Sequence, residues 1–300
     1  KHEAEQRRQE AEAARQAAVA AQRIEERERQ YAQAVAAFVK DDFLALTSVE
    51  GQNRFDGAGL DRNATLPQLL DRAAEKLKSR QGLAPRIEAE LCWIIGVNYR
   101  GVGDAAKGLP FLERTLELRR RECGVDHSDT LHAMNSLAVS YHVAGKLDQA
   151  LKLHEETLAL RKAASGPDDP STLASMTNLA CCYRSVGKLD KALPLFEEAL
   201  RSLKSKVGPD HHETLRCMNH FAVALQSAGK LDEGLLLLEE TLKIRKAKFG
   251  PDHSDTLVTT NDLALAYKNA KKLDLALPML EESLKLHQTR YGPEHLYTLI

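Results

Sequence analysis

The chain has 300 residues, of which 43% are hydrophobic and 28% charged, and its formal net charge is −1 at pH 7. This near-neutral balance gives no electrostatic reason to expect nucleic acid as a partner. No run approaches the roughly 18 apolar residues that a membrane span needs, so we expect a soluble region with no membrane span. The five cysteines have an odd count and no CxxC pair, which predicts free thiols.

Residues 1–40 contain no glycine or proline and are rich in Ala, Glu, Gln and Arg, which favour helix. Within residues 1–30, seven basic side chains are balanced by seven glutamates, and there is no strong apolar stripe. This composition is typical of a long charged helix that serves as a coiled coil or a spacer. A homodimer through residues 1–40 is one assembly that such a helix would allow.

Residues 41–84 are predicted to form a connector and a capping helix. A glycine-rich loop comes first, and Thr65 with Gln68 then has the pattern of a helix start with a capping box. The apolar positions that follow share one helix face, which we expect to cover the open end of the segment that comes next. They are Leu66, Leu69, Leu70, Ala73, Ala74 and Leu77.

Residues 85–300 repeat with a period of 42. Gly-Pro recurs at Gly166, Gly208, Gly250 and Gly292, and each pair is followed by Thr-Leu. A fixed period of this length predicts a solenoid, in which each unit buries its apolar face only against its neighbours. Apolar residues at helical intervals on both sides of a glycine turn predict two helices per unit. The last unit stops at Ile300, so we expect the array to be truncated there and the chain to be a piece of a longer protein.

The turn chemistry predicts where these helices begin and end. Gly145 and its repeats at 187 and 229 should close the first helix of a unit in the left-handed conformation. Asp148 and its repeats are expected to be the N-caps of the second helices. Asp169 before Pro170 predicts an N-cap with proline at the first helical position. Lys271 stands where the turn glycine is expected, which predicts a turn strained by about 1 kcal/mol.

The unit resembles the tetratricopeptide repeat, whose small residue, tyrosine, glycine and second small residue match Ala138, Tyr141, Gly145 and Ala150. It resembles more closely the kinesin-light-chain type, because residues 250–267 reproduce the Gly-Pro-Asp-His, Thr-Leu, Asn, Leu-Ala and Tyr of that type almost in full. Leu225 departs from the pattern at the tyrosine. The resemblance implies an all-α, right-handed superhelical solenoid of helix pairs, preceded by the N-terminal long helix.

A second resemblance concerns the order of the segments. An Ala/Glu/Arg-rich helix, then residues 38–44 and 69–74, leading into these repeats, is similar to the region after the catalytic domain of large bacterial serine/threonine protein kinases. That resemblance implies the sensor or interaction part of a signalling protein without the kinase itself. The compartment stays open between a cytoplasmic region and one tethered by a span upstream of Lys1.

Catalysis is not expected of this chain. Gly101, Gly103 and Ala106 form a G-x-G-x-x-A fragment, but it follows a predicted helix and Gly103 lies at the repeat position of the turn glycine. Neither a phosphate-binding loop nor kinase signatures are present. The histidines at 127, 211, 253 and 295 recur in units too far apart to share a metal ion, and we expect them to satisfy backbone groups at helix entrances. No metal and no cofactor are therefore predicted.

The candidate site is the groove lined by the first helix of each unit. Alignment on the turn glycine places Asn135, Thr177, Asn219 and Asn261 at one groove position. An amide both donates and accepts, so these asparagines are expected either to bind a peptide backbone or to tie neighbouring units together. A second groove position carries a mildly basic set, which would favour acidic or carboxylate-bearing peptides. It comprises Arg100, His142, Arg184, Gln226 and Lys268.

These features predict a non-catalytic scaffold that binds peptides or partner proteins, with an acidic ligand favoured, in the groove of the array. Two alternatives come from other classes. In the first, the array is the regulatory region of a serine/threonine kinase whose catalytic domain lies outside this chain. In the second, the groove is empty and the long helix makes a structural oligomer.

Overall fold

The computed structural model describes residues 65–291 and, nearer the N-terminus, residues 12, 15–19, 21–22, 26, 29, 31–33 and 35–36; for residues 290 and 291 it describes the backbone only. The described residues between 12 and 36 are helical. Most of the predicted long helix, the connector before Thr65 and the last Gly-Pro at Gly292 with His295 lie outside the described residues.

The described part of the chain from residue 65 onward consists of eleven helices and contains no strand. They are α1 Leu66–Ser79, α2 Pro85–Gly101, α3 Ala105–Cys123, α4 Ser128–Val143, α5 Leu147–Ser165, α6 Pro170–Ser185, α7 Leu189–Lys206, α8 His212–Ser227, α9 Leu231–Phe249, α10 Ser254–Asn269 and α11 Leu273–Tyr291. The all-α repeat architecture is thus confirmed. None of the described helices is both long and apolar enough to cross a membrane.

The helices stack as consecutive pairs. Each of α2 to α10 packs on the next helix in the chain, and the first helices of the units (α2, α4, α6, α8 and α10) also contact one another in succession. The alanine of the repeat lets the two helices of a pair approach closely, since Ala138, Ala180, Ala222 and Ala264 are fully buried. Contacts between neighbouring units are those that a solenoid predicts.

The turn glycines adopt the conformation that the sequence predicts. Gly145, Gly187 and Gly229 have φ angles of 75°, 76° and 79°. Lys271 has φ 61° and is the one non-glycine residue with a positive φ in the described chain. Lys271 thus adopts the turn conformation of the glycines, and the strain expected there follows because it carries a side chain in the left-handed region.

Of the two aspartates predicted to be N-caps, the structure confirms Asp169 and shows that the prediction for Asp148 is wrong. Asp169 accepts hydrogen bonds from the backbone N–H groups of Ser171 and Thr172, as an N-cap before Pro170 should. Asp148, however, lies inside the first turn of α5, whose N-cap is Lys146. The helix starts one residue before the aspartate, where the carboxylate still interacts favourably with the positive end of the helix dipole.

The repeated histidines are N-caps. The Nδ1 atoms of His127, His211 and His253 each accept the backbone N–H two residues later, at 3.2, 3.3 and 3.2 Å. The expectation that these side chains satisfy backbone groups at helix entrances is confirmed for the three described residues.

The helix α1 covers the outer side of α2. Thr65 and Gln68 form the expected capping box, in which the backbone N–H of Thr65 donates to Gln68 Oε1 at 2.7 Å. The predicted apolar face is buried except at Leu66, which is 48% exposed. Its members pack against a cluster on α2 and α3 that includes Ile95, Tyr99 and Phe111.

Two repeated polar contacts join the second helix of one unit to the first helix of the next. The tyrosine of a first helix donates to a carboxylate of the preceding second helix in the pairs Tyr141–Glu113, Tyr183–Glu155 and Tyr267–Glu239, each at 2.7 Å. In addition, an arginine near the end of a second helix donates to a backbone carbonyl at the start of the next first helix. These pairs are Arg119 with Asp129, Arg161 with Ser171, and Arg245 with Asp255.

The junction between α7 and α8 lacks both contacts. Leu203 takes the place of the arginine and Leu225 takes the place of the tyrosine. Both leucines are buried with Cys217, and Phe196 stacks on Phe221 with ring centroids 5.7 Å apart. We call α5–α6 the polar junction and α7–α8 the apolar junction.

Candidate functional site

A cavity of about 640 Å³ runs along the first helices α4, α6 and α8. It contains three residues that the sequence placed in the groove, Asn135, His142 and Arg184. The lining is rich in nitrogen-bearing side chains. Six are histidines, namely His132, His142, His154, His211, His212 and His220, and three are arginines, namely Arg161, Arg184 and Arg216.

The charge of this cavity comes from its arginines. Glu213 is the one carboxylate in the lining, and it pairs with Arg216 through two hydrogen bonds of 2.6 and 2.9 Å. Arg161 is 7% exposed and hydrogen-bonds to the carbonyls of Ser171 and Leu131 and to the Ser175 hydroxyl. None of these partners is a carboxylate; the Asp169 and Glu213 carboxylates act on Arg161 only through space, so its positive charge lies in the wall without a direct ion pair.

Arg184 leaves a second positive charge. It is half-buried, and its Nε atom is buried without a hydrogen-bond partner among the described residues. The amide nitrogen of Gln226, at the same groove position on the next first helix, is also buried and unpartnered within the described chain. Unpaired buried donors carry a desolvation cost, and the structure offers these two atoms no acceptor among the described residues.

Four histidines of the cavity add little charge near neutral pH: His132, His142, His154 and His220. Burial lowers the pKa of His132 and of His142, in the second case with help from Arg184. Burial lowers the pKa of His154 to about 4, and burial together with Arg216 lowers the pKa of His220 to about 3. These four imidazoles are therefore neutral at pH 7, and the cavity carries positive charge at Arg161 and Arg184.

The three predicted asparagines all hydrogen-bond within the chain. Asn135 Oδ1 accepts from Asn178 Nδ2 at 2.8 Å, and Asn219 Nδ2 donates to Asp262 Oδ2 at 2.6 Å. Both bonds join neighbouring first helices, as in the alternative that the asparagines tie units together. Asn261 Oδ1 instead accepts from Ser283 on α11 at 2.6 Å. Thr177 bonds to the Leu173 carbonyl of its own helix.

The remaining predicted site residues lie outside this cavity. Arg100 donates to the Ser136 carbonyl and to the Ser140 hydroxyl, both at 3.2 Å, and burial lowers its pKa. Asn219 is 4% exposed, so little of it is accessible from the groove. Its Oδ1 atom is buried and accepts no bond from the described residues. Lys268 is exposed on α10.

Several lining residues were missed by the sequence analysis. Asn178 and His220 stand one residue after the asparagine position, and His132 and Arg216 stand three residues before it. These positions belong to the same helix faces, so the 42-residue alignment could have found them. Arg161 comes from a second helix, whereas the predicted groove positions were all on first helices. An arginine recurs at the equivalent positions 119 and 245, and this recurrence could have indicated it.

The repeats also have a family assignment. The family model for the tetratricopeptide repeat matches residues 90–163, 130–205, 187–247 and 218–289, which together span residues 90–289. The chain belongs to the tetratricopeptide repeat family. This fold is generally non-catalytic and serves as a protein-interaction scaffold.

Several solved structures share this fold. One is described as a kinesin light chain from Podosopora anserina with nearly identical TPR-like repeats; it is 22% identical, with a TM-score of 0.55, and covers 70% of this chain and 98% of its own. BtubC (BKLC) from P. vanneervenii is 18% identical, with a TM-score of 0.53, and covers 88% and 92%. NprR in complex with its cognate peptide NprX is 16% identical, with a TM-score of 0.58, and covers 76% and 63%.

These likenesses establish the fold and confirm the resemblance to the kinesin-light-chain type. A search of the curated proteins found no significant match. The similarity to the region that follows the catalytic domain in bacterial kinases stays a prediction.

Proposed function

We propose that the cavity along α4, α6 and α8 binds an acidic peptide segment of a partner protein. The observation that carries the proposal is the pair of guanidinium groups, Arg161 and Arg184, that line the cavity without a carboxylate partner. The chain as a whole is nearly neutral, with a net charge of −1, so this positive character is local to the cavity. An anionic ligand would supply the missing counter-charge.

Arg184 is the proposed anchor for a ligand carboxylate. Its planar guanidinium can donate two parallel hydrogen bonds to a carboxylate, which gives both affinity and orientation. Arg161 is held by three chain acceptors, so it contributes charge from beneath the surface rather than a direct contact. Asn135 and His142 border the same cavity and are proposed to contact the ligand backbone. A peptide ligand is compatible with this fold, since NprR has been solved with one.

The experiment is selection of binders from a random peptide library displayed on phage, followed by fluorescence anisotropy with a selected peptide. We expect the binders to be enriched in Asp and Glu. Arg184→Gln should weaken binding about tenfold or more, because a hydrogen bond to a charged group contributes about 1.5–3 kcal/mol and 1.4 kcal/mol is a factor of ten.

The matched control is Arg201→Gln, which removes the same charge from an exposed arginine on α7 outside the cavity lining. It should leave the affinity unchanged. Binders without acidic residues, or equal affinity for the Arg184→Gln and unaltered proteins, would refute the proposal. The triple change Asn135→Ala, Asn219→Ala and Asn261→Ala, with helicity checked by circular dichroism, tests whether the groove asparagines share in binding.

A further inference from the structure

A group of metal-ligating side chains lies away from the groove cavity, where α3 ends and α4 begins. One ligand atom from each of Cys123, His127 and Asp129 falls within 4.8 Å of the other two. All three residues are exposed. Cys123 is the last residue of α3, His127 is the N-cap of α4, and Asp129 lies in the first turn of α4. A single loop therefore brings a thiol, an imidazole and a carboxylate together.

The fold explains two of these residues. The histidine and the acidic residue two positions later recur as His211 with Glu213 and as His253 with Asp255, and each histidine caps its helix in the same way. The repeat does not explain the thiol. At the positions equivalent to Cys123, later units carry Ser165, Val207 and Phe249. Of the units compared, the one that begins with α4 is the unit in which a cysteine precedes the N-cap residue by four positions.

The thiol at this loop is also the accessible one. All five cysteines of the chain are described, and Cys92, Cys181, Cys182 and Cys217 are buried whereas Cys123 is exposed. Burial raises the pKa of each of those four thiols, while metal binding requires a thiolate. Cys123 is thus the cysteine that an ion from solvent could reach.

We propose that Cys123, His127 and Asp129 bind a divalent transition-metal ion of the Zn²⁺ type. Sulfur, imidazole nitrogen and carboxylate oxygen are the donors that Zn²⁺ takes in proteins, at about 2.0–2.3 Å. Ligand atoms around such an ion lie roughly 3–4 Å apart, so small side-chain rotations close the observed group around it. Three protein ligands leave a fourth position open to water or to a group from another molecule.

The surroundings allow a cation. Arg119 borders the same part of the surface, but its guanidinium pairs with Glu90 at 2.8 Å, which neutralises it. Glu122 also borders it and pairs with Arg121 at 3.1 Å, and Arg86 lies on the same border. The Nδ1 atom of His127 currently accepts the Asp129 N–H at a long 3.2 Å, and a metal ion at Nδ1 would replace that contact. Histidines of different units are too far apart to share an ion, whereas these three ligands come from one loop.

Titration of the full chain with Co²⁺, a spectroscopic substitute for Zn²⁺, tests the site. We expect one equivalent of Co²⁺ to give a thiolate charge-transfer band, and Zn²⁺ to abolish it by displacement. Cys123→Ser should remove the band, and the exposed position should leave the fold unchanged. His127→Asn keeps an N-cap acceptor but should weaken binding by at least the roughly 10–100-fold that loss of an outer-shell partner costs.

The chain offers a gain-of-binding control. Phe249→Cys places a thiol before the His253 and Asp255 cap, with loss of the ring contact between Phe249 and His253 at 4.9 Å. We expect two equivalents of Co²⁺ in this variant. The absence of a thiolate band in the unaltered chain, or a band that persists in Cys123→Ser, overturns the site. One equivalent in Phe249→Cys overturns the claim that a cap and a thiol suffice.

Discussion

The polar and apolar junctions occupy equivalent places in successive units, but they are stabilised differently. At the polar junction, Arg161 bonds to Ser171 and Ser175, and Tyr183 bonds to Glu155. At the apolar junction, Leu203 and Leu225 replace the arginine and the tyrosine. The partner position changes with them, because Cys217 replaces Ser175 and is fully buried.

This concerted change shows that two different sets of side chains can fill the same junction. One set is Arg161, Ser175 and Tyr183, and the other is Leu203, Cys217 and Leu225. A buried guanidinium is stable only with its hydrogen-bond acceptors in place, and a leucine is stable only without unpaired polar neighbours. Either complete set satisfies the junction. A mixture of the two sets should not, which is what the following substitutions test.

The largest effect is expected from Leu203→Arg. The new guanidinium would be buried at the apolar junction beside Cys217, a weak acceptor, with at best the backbone carbonyl of the next helix to bond to. We expect a loss of about 3–5 kcal/mol in unfolding free energy, measured by urea denaturation followed by circular dichroism. Adding Cys217→Ser and Ala199→Thr, as at the polar junction, should recover part of it. No recovery would show that the two sets are not interchangeable.

Leu179→Ala probes the core beside the apolar junction. Leu179 is 5% exposed and belongs to the cluster that contains Phe196 and Phe221, so we expect a cost of about 2–5 kcal/mol. Leu137→Ala, one unit earlier and 3% exposed, is the matched change in the other core. Asn219→Ala should cost less, about 1.5–3 kcal/mol, since it removes one hydrogen bond to the Asp262 carboxylate. Equal losses for Leu179→Ala and Asn219→Ala would mark Asn219 as structural.

His154→Leu tests how a buried polar side chain makes the free energy of unfolding depend on pH. His154 is 1% exposed with its Nδ1 unpartnered among the described residues, whereas Phe196 stands at this position in α7 and Leu238 in α9. Because burial lowers the pKa of His154 to about 4, the unfolded chain binds the proton first as pH falls. Stability should therefore decrease from about pH 6.5 to pH 4. In His154→Leu we expect a smaller decrease, and about 1 kcal/mol more stability at pH 7. Parallel pH curves would contradict this.

Tyr141→Phe removes the hydroxyl that donates to Glu113 and leaves the ring in place. We expect a loss of about 0.5–1.5 kcal/mol by urea denaturation, since burial and the bond to Glu113 favour the neutral phenol. The reverse change, Leu225→Tyr, would offer a hydroxyl to Glu197 across the apolar junction. A gain there would show that the link can be installed one contact at a time.

The smallest effect is expected from Lys271→Gly. The turn at Lys271 matches those at Gly145, Gly187 and Gly229 in conformation but carries a side chain at φ 61°. Relief of this strain should stabilise the last described pair by up to about 1 kcal/mol, partly offset by the greater freedom of glycine in the unfolded chain. Hydrogen exchange of α10 and α11 amides would measure it. Gly229→Lys is the opposite change and should cost a similar amount.

The sequence predicted the parts of the fold that depend on local backbone chemistry. The 42-residue period predicted the helix pairs. The glycine turns and Lys271 marked where first helices end, and Asp169 and His253 marked where they begin, as the structure confirms. Asp148 was misplaced because an acidic residue is equally typical of an N-cap and of a first turn. Such ambiguity is settled by the packing of the whole pair, which a local pattern does not contain.

The site was harder to predict because it depends on which side chains already have partners. The sequence placed Asn135 and Arg184 in the groove, but it could not say that the first is bonded to Asn178 while the second has an unpartnered Nε. The Asn135–Asn178 pair is 43 residues apart rather than 42, because the stagger of neighbouring helices shifts the contact by one position. An alignment at the repeat period compares equivalent residues and misses such diagonal partners.

The arginines of the second helices have a consequence for how this chain can change over evolutionary time. Arg119, Arg161 and Arg245 each bond to a main-chain carbonyl, at residues 129, 171 and 255. Every amino acid supplies that carbonyl, so the bond does not dictate the side chain there, and the three positions carry Asp, Ser and Asp. Units can therefore diverge at these positions and acquire new surface chemistry while the joint between them keeps its strength.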